Sequence, residues 1–293
     1  MSETTLHGAR VYRSELAERT VRGWCRERLD EFPDLTELPE ITTSLGPTRA
    51  FRLPGGTGAP VVVLGGTNFN SALMAGPASA MCPDREVILV DLPGQPGLSC
   101  GIRPKAHRAV AYGAWFEEVL PELVDRPSLV VGHALGAAVV LASAPSPLVK
   151  GLVLLDPAGL TAAANSPELM RVTLPWMIGP REDKSTRLLN FLSGPGFRQR
   201  PHPFAAWMTM VGQHCRTSGL APHALSVERL LPWQKHHVTV ATGSDDVFFS
   251  SARLHGPARR FLDAEVHVLE GAGHLAPYEV PDEVAKLVRR ADV

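Results

Sequence analysis

Several residue types and patterns are rare or absent in this 293-residue sequence, and each absence excludes a class of protein. Its four cysteines lie far apart and form no C-x-x-C pair, so we expect neither a zinc site nor a disulfide framework. Lysine plus arginine (29) nearly balances aspartate plus glutamate (30), and the formal net charge is -1. That balance does not favour nucleic acid or an anionic membrane as a partner. We therefore expect a small-molecule partner and no metal.

The sequence also lacks the signals of export and of nucleotide binding. Residues 1–5 are polar, so we expect no signal peptide, and no apolar run is long enough to cross a bilayer. Together with thiols that we expect to stay reduced, this favours a soluble, cytoplasmic protein. The motif G-x-G-x-x-G and the P-loop lysine are absent as well, so no nucleotide cofactor is expected.

What the sequence does contain is an alternation of buried strands and helices. Strands with the apolar interiors typical of a parallel sheet are predicted at residues 60–64, 86–90, 128–132 and 152–155. Residues 107–125 carry apolar side chains at helical spacing, whereas residues 41–53 predict strands and turns at one sheet edge. The alternation predicts an α/β fold with a mostly parallel central sheet flanked by helices.

The pattern changes between residues 160 and 230. Strand signals stop there, and helical fragments rich in Trp, Met, Phe and Pro replace them until strand signals resume. We predict a helical cap insertion at 160–230 within a core domain made of residues 1–159 and 231–293. Three aromatic residues of the cap are predicted either to line an apolar substrate pocket or to form the interior of the cap: Trp176, Phe204 and Trp207.

The most informative stretch is residues 129–138, LVVGHALGAA. An apolar strand ends in G-x-x-x-G and turns at once into an Ala-rich helix, which is the frame of the nucleophile elbow G-x-S-x-G. Glycines suit this frame because the turn is tight and the neighbouring backbone approaches closely. The middle position is Ala134, so the frame lacks its hydroxyl group.

A histidine and several aspartates follow other predicted strands and are candidates for the rest of a catalytic triad. His274 follows the last strand in a Gly-rich loop and is the candidate base, and Asp246 follows the preceding strand and is the candidate acid. The chain order Ala134, Asp246, His274 is the hydrolase order of nucleophile, acid and histidine. Asp245 and Asp156 remain alternative acids because they also lie at the ends of strands.

Stabilising an oxyanion requires backbone N–H donors beside the nucleophile position. The candidates are Leu135, at the start of the elbow helix, and either Thr67 or Asn68 on the Gly-rich loop after the strand at 60–64. Asn68 is also a candidate for contact with the substrate. His133, next to the elbow, is predicted to be a packing residue.

Taken together, these motifs resemble those of the α/β-hydrolase fold family from about residue 61 to residue 287. The matching segments are Gly65-Gly66-Thr67, Asp91-Leu92-Pro93-Gly94, Gly132-His133-Ala134-Leu135-Gly136, Gly243-x-x-Asp246 and Gly271-x-Gly273-His274. The resemblance implies hydrolysis of an ester, thioester, amide, epoxide or carbon–carbon bond, usually without a cofactor and with a cap that selects the substrate. Three departures stand out: Gly65-Gly66 in place of His-Gly, an extra residue at Pro96, and Ala134 in place of serine.

The alanine at position 134 allows two interpretations of the site. In the first, the protein is a serine hydrolase, of the esterase or thioesterase kind, for an acyl bond of a largely apolar small molecule, and Ala134 is an inactivating replacement. Loss of a triad serine lowers kcat by about a million-fold. In the second, the alanine is natural, and the protein is a small-molecule receptor or a lyase, isomerase or cyclase that uses His274 and Asp246. Replacement of an original serine is the favoured interpretation, because alanine keeps the backbone strain of an elbow. Glycine or asparagine at this position would relieve that strain.

Overall fold

An eight-stranded sheet lies between two layers of helices in the computed structural model, which describes residues 8–105, 107–200, 202–216 and 223–292. The strands, in their order across the sheet, are β12 (Val266–Leu269), β11 (Val238–Gly243), β10 (Val149–Leu155), β9 (Ser128–His133), β6 (Val61–Leu64), β7 (Arg85–Val90), β5 (Ala50–Thr57) and β2 (Thr36–Glu37). The six strands from β12 to β7 are mutually parallel, and β5 and β2 extend the sheet in antiparallel pairing.

Both faces of the sheet are covered because its central strands are apolar on both sides. Val61 and Val63 belong to one core cluster, and Val62 and Leu64 belong to the other. The first face is covered by α1 (Glu15–Leu29), α2 (Ser71–Met81) and α11 (Pro281–Arg290). The second face is covered by α3 (Arg108–Leu123), α4 (Leu135–Ala142) and α9 (Ser251–Pro257). This explains the continuous apolar runs in the sequence, since neither face of these strands meets water.

Between β10 and β11 the described residues form helices, loops and one isolated bridge, between Tyr12 and Cys215. The helices are α5 (Pro167–Ile178), α6 (Glu182–Leu192), α7 (Ala205–His214) and α8 (Val227–Leu230). This helical segment also packs on α1, where the rings of Trp24 and Trp207 have centroids 4.6 Å apart. The chain closes with the short α10 (Ala276–Glu279) and with α11.

The structure differs from the sequence prediction at residues 41–53. Strands β3 (Ile41–Thr43) and β4 (Gly46–Thr48) pair only with each other among the named strands, and β5 is not the edge of the main sheet. The two-residue strand β2 lies outside β5, and its polar Thr36 and Glu37 give no strand signal in the sequence. A third pairing joins β1 (Gly8–Arg10) to β8 (Ile102–Pro104). In the part of the chain that is described, no helix is long and apolar enough to cross a membrane.

Candidate functional site

Ala134 forms the turn between β9 and α4. Its backbone is left-handed, with φ 47° and ψ -108°, and its amide donates to the carbonyl oxygen of Leu155 over 3.0 Å. The flanking glycines are required by space, because a Cβ on Gly132 would lie 2.8 Å from Cα of Ala137 and one on Gly136 would collide with the carbonyl oxygen of Leu64. The G-x-A-x-G spacing therefore holds residue 134 in a strained turn at the carboxyl end of the sheet.

The loop after β6 lies directly against this turn. A Cβ on Gly66 would stand 3.2 Å from the methyl group of Ala134, which leaves little room there for any side chain. The next two residues differ in what their backbone can do. The amide of Asn68 donates to Oε1 of the buried Gln95 over 3.1 Å, while Thr67 lines a cavity together with Ala134 and Leu135.

His274 pairs with Asp246, and not with the two alternative aspartates. Nδ1 of His274 lies 3.0 Å from Oδ2 of Asp246. The exposed Asp245 accepts a hydrogen bond from Ser244, and the buried Asp156 accepts one from the amide of Gly243 over 2.9 Å. The structure thus brings Asp246 to the imidazole and leaves Asp245 facing outward.

The surroundings of Asp246 favour a charged carboxylate. Its Oδ1 accepts from the amides of Phe248 and Phe249, over 2.7 Å and 3.2 Å. Burial by itself would raise the pKa of Asp246, but the positive charge and hydrogen bond of His274 and these two amides lower it. Burial by itself would lower the pKa of His274, and the Asp246 carboxylate outweighs that effect and raises it. The pair therefore favours an imidazole that accepts protons readily.

His133 links the elbow to the loop that carries His274. Its Nε2 lies 2.9 Å from the carbonyl oxygen of His274, and since a carbonyl only accepts, Nε2 must carry the proton. Burial, assisted by the charge of His274, lowers the pKa of His133 to about 3, so the ring is neutral. The predicted packing residue thus also fixes the distance between two parts of the site.

Asp156 is a buried carboxyl group behind this pair. Burial, together with the charge of Asp246, raises its pKa to about 8, so that it is largely protonated at neutral pH. Its Oδ2 has no hydrogen-bond partner among the described residues and lies 3.7 Å from Nε2 of His133. Ligand atoms of His133, Asp156 and His274 lie within 4.8 Å of one another, but both rings hold their places through hydrogen bonds of their own. These three side chains therefore suit a hydrogen-bonded network better than they suit a bound cation.

An apolar cavity of about 330 Å³, hereafter the apolar cavity, contains the methyl group of Ala134 and the ring of His274 in its wall. Trp176 and Asn68, two of the residues predicted to contact a substrate, lie in this wall. Phe204 and Trp207 lie outside the wall, so of the two predicted placements, pocket wall or cap interior, the pocket wall is wrong for these two residues. The Trp207 indole donates to the carbonyl oxygen of Asn68 over 2.7 Å, and Phe204 packs edge-on against Phe69 at 5.8 Å. Both rings therefore support residues of the wall from behind.

The loop of His274 is tied to the end of α6. The amide of His274 donates to the carbonyl oxygen of Leu192 over 2.8 Å. The buried carboxylate of Glu279 accepts from the amides of Gly273 and Gly194, over 2.6 Å and 3.3 Å. Neither Glu279 nor Gln95 stands out in the sequence, because Glu279 joins its own loop to the distant amide of Gly194 and Gln95 accepts from the distant amide of Asn68.

Comparisons with known proteins agree with the fold of this chain. The sequence model of the alpha/beta hydrolase family matches residues 53–287, whereas no curated protein matches the chain. A putative hydrolase from Bacillus subtilis superposes with a TM-score of 0.76 at 20% identity, over 94% of this chain and 99% of the other. Naproxen esterase from Bacillus subtilis gives 0.72 at 20% identity, over 94% and 98%.

A third structure is that of a meta-cleavage product hydrolase from Pseudomonas fluorescens, a serine-to-alanine mutant complexed with acetates. It gives a TM-score of 0.66 at 19% identity, over 87% of this chain and 97% of the other. These identities show a shared fold, and the family match covers most of the chain. The chain therefore belongs to the alpha/beta hydrolase family.

Proposed function

We propose that this chain is the scaffold of a serine hydrolase for esters or thioesters of apolar small molecules, with Ala134 in the nucleophile position. The observation that carries the proposal is the convergence of Ala134 and His274 on the apolar cavity, with His274 held by Asp246 at 3.0 Å. In its present form the chain binds such substrates and hardly turns them over, because the attacking oxygen is missing.

With a serine at position 134, each remaining group has a defined role. His274 removes the hydroxyl proton as the oxygen attacks the acyl carbon, and it returns that proton to the leaving group. Asp246 keeps the imidazole in the tautomer that presents Nε2 to the hydroxyl. The amide of Leu135 at the start of α4 and the amide of Thr67 stabilise the oxyanion; Asn68 is less suitable because its amide already donates to Gln95.

The backbone at residue 134 supports replacement of a parental serine. A left-handed backbone at a residue other than glycine costs about 1–3 kcal/mol. Ala134 retains that conformation at φ 47° and lacks only an oxygen. A chain with no use for a hydroxyl group gains stability from glycine there, so alanine favours the removal of an oxygen from a working site.

The cavity wall supports an apolar group on one side of the ester or thioester bond. Leu188, Leu189, Met208 and Val211 line it together with Trp176. Apolar walls with few polar groups bind through the area that they bury, and the polar groups fix the orientation of the ligand. We therefore propose that the helical segment between β10 and β11 serves as a cap that selects the substrate.

A second candidate function uses the His274–Asp246 pair without a nucleophile. The raised pKa of His274 supports this alternative, because a positioned imidazole can move a proton in a lyase, isomerase or cyclase reaction. The third candidate function of the same site is that of a receptor, which binds a small molecule without converting it. The three differ in what His274→Ala does: it abolishes activity of the Ala134 chain only in the second case, and it leaves the affinity of a receptor nearly intact.

The deciding experiment is Ala134→Ser, assayed with 4-nitrophenyl esters of medium-chain acids and with a fluorescent phosphonate that labels activated serines. We expect turnover at least about a thousandfold above the unchanged chain, and stoichiometric labelling. Ala163→Ser is the matched control, because it places a hydroxyl group in the same cavity but away from the elbow. Equal activity of the two variants, or none in either, would overturn the proposal.

A further inference from the structure

A second pocket opens next to the apolar cavity and differs from it in carrying several basic side chains. This basic pocket, of about 540 Å³, lies between residues 103–105 and 107–112 on one side and residues 223–229 on the other. Its cationic and imidazole side chains are Arg103, Lys105, His107, Arg108, His223 and Arg229. Among the described residues that line it there is no aspartate or glutamate. The pocket therefore concentrates positive charge in a chain whose overall charge is nearly zero.

The basic pocket meets the apolar cavity at the proposed oxyanion donors. Thr67 and Leu135 line both spaces. A carbonyl group bound by their amides thus has the apolar cavity on one side and the basic pocket on the other. One ligand can occupy both spaces if it carries a polar, charged end and an apolar end with the acyl group between them.

The cations are held in place by the backbone. Arg103 is only 4% exposed, and its Nε donates to the carbonyl oxygen of Gly94 over 3.0 Å. Nε of Arg108 donates to the carbonyl oxygen of Pro104, also over 3.0 Å, and an Arg229 nitrogen donates to that of Ala142 over 3.1 Å. Anchored guanidinium groups lose little freedom when they bind an anion, and they suit carboxylates and phosphates.

The position of His274 decides which end of the substrate carries the charge. His274 lines the apolar cavity and is not in the wall of the basic pocket. Since this imidazole must protonate the leaving group, the leaving group lies in the apolar cavity and the rest of the acyl half extends the other way. We infer that the basic pocket binds a carboxylate or phosphate group on the acyl half of the substrate.

The binding part of this inference is independent of catalysis, while the assignment to the acyl half rests on the proposed function. Because the chain carries Ala134, esters remain intact in it and their binding can be measured directly by calorimetry. Benzyl hydrogen glutarate carries the anion on the acyl half, 4-carboxybenzyl butanoate carries it on the alcohol half, and benzyl methyl glutarate is neutral. Benzyl 4-phosphonobutanoate tests phosphonate in place of carboxylate.

We expect at least one acyl-half anion to bind about tenfold more tightly than both other esters, which corresponds to one or two charge-assisted hydrogen bonds. The advantage should shrink at high ionic strength and disappear in Lys105→Gln and in Arg229→Gln. Lys105 is exposed, so its replacement leaves the fold intact. Lys286→Gln, at an exposed lysine on α11, is the matched control and should leave the advantage unchanged.

Equal binding of the neutral and anionic esters would overturn the inference, and tighter binding of 4-carboxybenzyl butanoate would overturn the assignment to the acyl half. If the anionic esters bind more tightly but the Ala134→Ser variant is inactive, the anion-binding role of the basic pocket is supported and the proposed function is overturned. If the Ala134→Ser variant is active but no anion preference is seen, the proposed function is supported and the anion-binding role of the basic pocket is overturned.

Discussion

The carboxylate of Asp246 contacts the imidazole of His274 over 3.0 Å, and its side chain is completely shielded from solvent. The adjacent Asp245 is exposed and bonds to Ser244. Two neighbouring residues of the same type therefore stand in opposite environments, and this difference allows their roles to be separated by experiment.

In the Ala134→Ser background, Asp246→Asn should lower kcat by about ten-thousandfold, because an amide does not hold the imidazole in the required tautomer. Asp245→Asn keeps the same chemical change one residue away and should leave kcat essentially unchanged. Steady-state kinetics with a 4-nitrophenyl ester measures both. Equal losses in the two variants would show that the contact between His274 and Asp246 has no catalytic role.

The pH titration of His274 should report its partner. NMR of the ¹³C-labelled imidazole in the unchanged chain should give a midpoint above the ordinary value of 6.5, because the attraction of Asp246 outweighs burial. Asp246→Asn leaves burial as the larger effect, so the midpoint should fall. The kcat/KM of the Ala134→Ser variant should rise with pH through the same midpoint as the imidazole of the unchanged chain, since only the neutral ring accepts a proton. A midpoint that does not respond to Asp246→Asn would contradict the assignment.

Ala134→Gly should stabilise the fold. Relief of the left-handed backbone at φ 47° is worth about 1–3 kcal/mol, and the extra freedom of glycine in the unfolded chain offsets about 0.4–1 kcal/mol of it. Urea unfolding measures the net gain in the free energy of unfolding. Ala114→Gly, at an exposed site within α3, is the control and should cost about 1 kcal/mol. A similar loss in both variants would mean that residue 134 is not strained.

Asp156 should make stability depend on pH. Its pKa in the folded chain is about 8, above the ordinary 3.8, so the folded state binds a proton that the unfolded state releases between these values. The stabilisation is full below about pH 4 and is lost as the pH rises through 8, with a slope of at most about 1.4 kcal/mol per pH unit.

Asp156→Asn keeps the shape of the protonated carboxyl group without its titration. In this variant the free energy of unfolding should fall less steeply between pH 5 and pH 8 than in the unchanged chain. Urea unfolding across about this range measures the difference. Identical slopes in the two chains would contradict a protonated Asp156.

The fold was predictable where physical constraints leave marks in the sequence. Strands buried on both faces give continuous apolar runs, and the elbow needs glycines at 132 and 136 because backbone atoms pack against them. Chain order also favoured Asp246 over its neighbour Asp245, and the structure places Asp246 against His274. The short strand β2 could not be predicted from the sequence, because two polar residues at a sheet edge cannot be distinguished from a loop by their pattern.

The walls of the site were less predictable, because they depend on which side of a helix faces inward. Trp176 faces the apolar cavity, whereas Trp207 turns its indole toward Asn68 and Trp24. The basic pocket is harder still to foresee, since Lys105 and Arg229 are distant along the chain and charged residues are usually solvated. Only the folded arrangement brings these side chains to one opening.

The hydrogen bonds that join α6 to the loop of His274 restrict how substrates arrive. If this end of the helical segment lifted, it would drag the imidazole away from Asp246, because Leu192 and Gly194 are bonded to that loop directly and through Glu279. Entry is therefore expected at the far end, beside α5, where Met177 is both part of the cavity wall and 42% exposed. Anchored at one end, the segment can admit a ligand while the proton-transfer pair keeps its alignment.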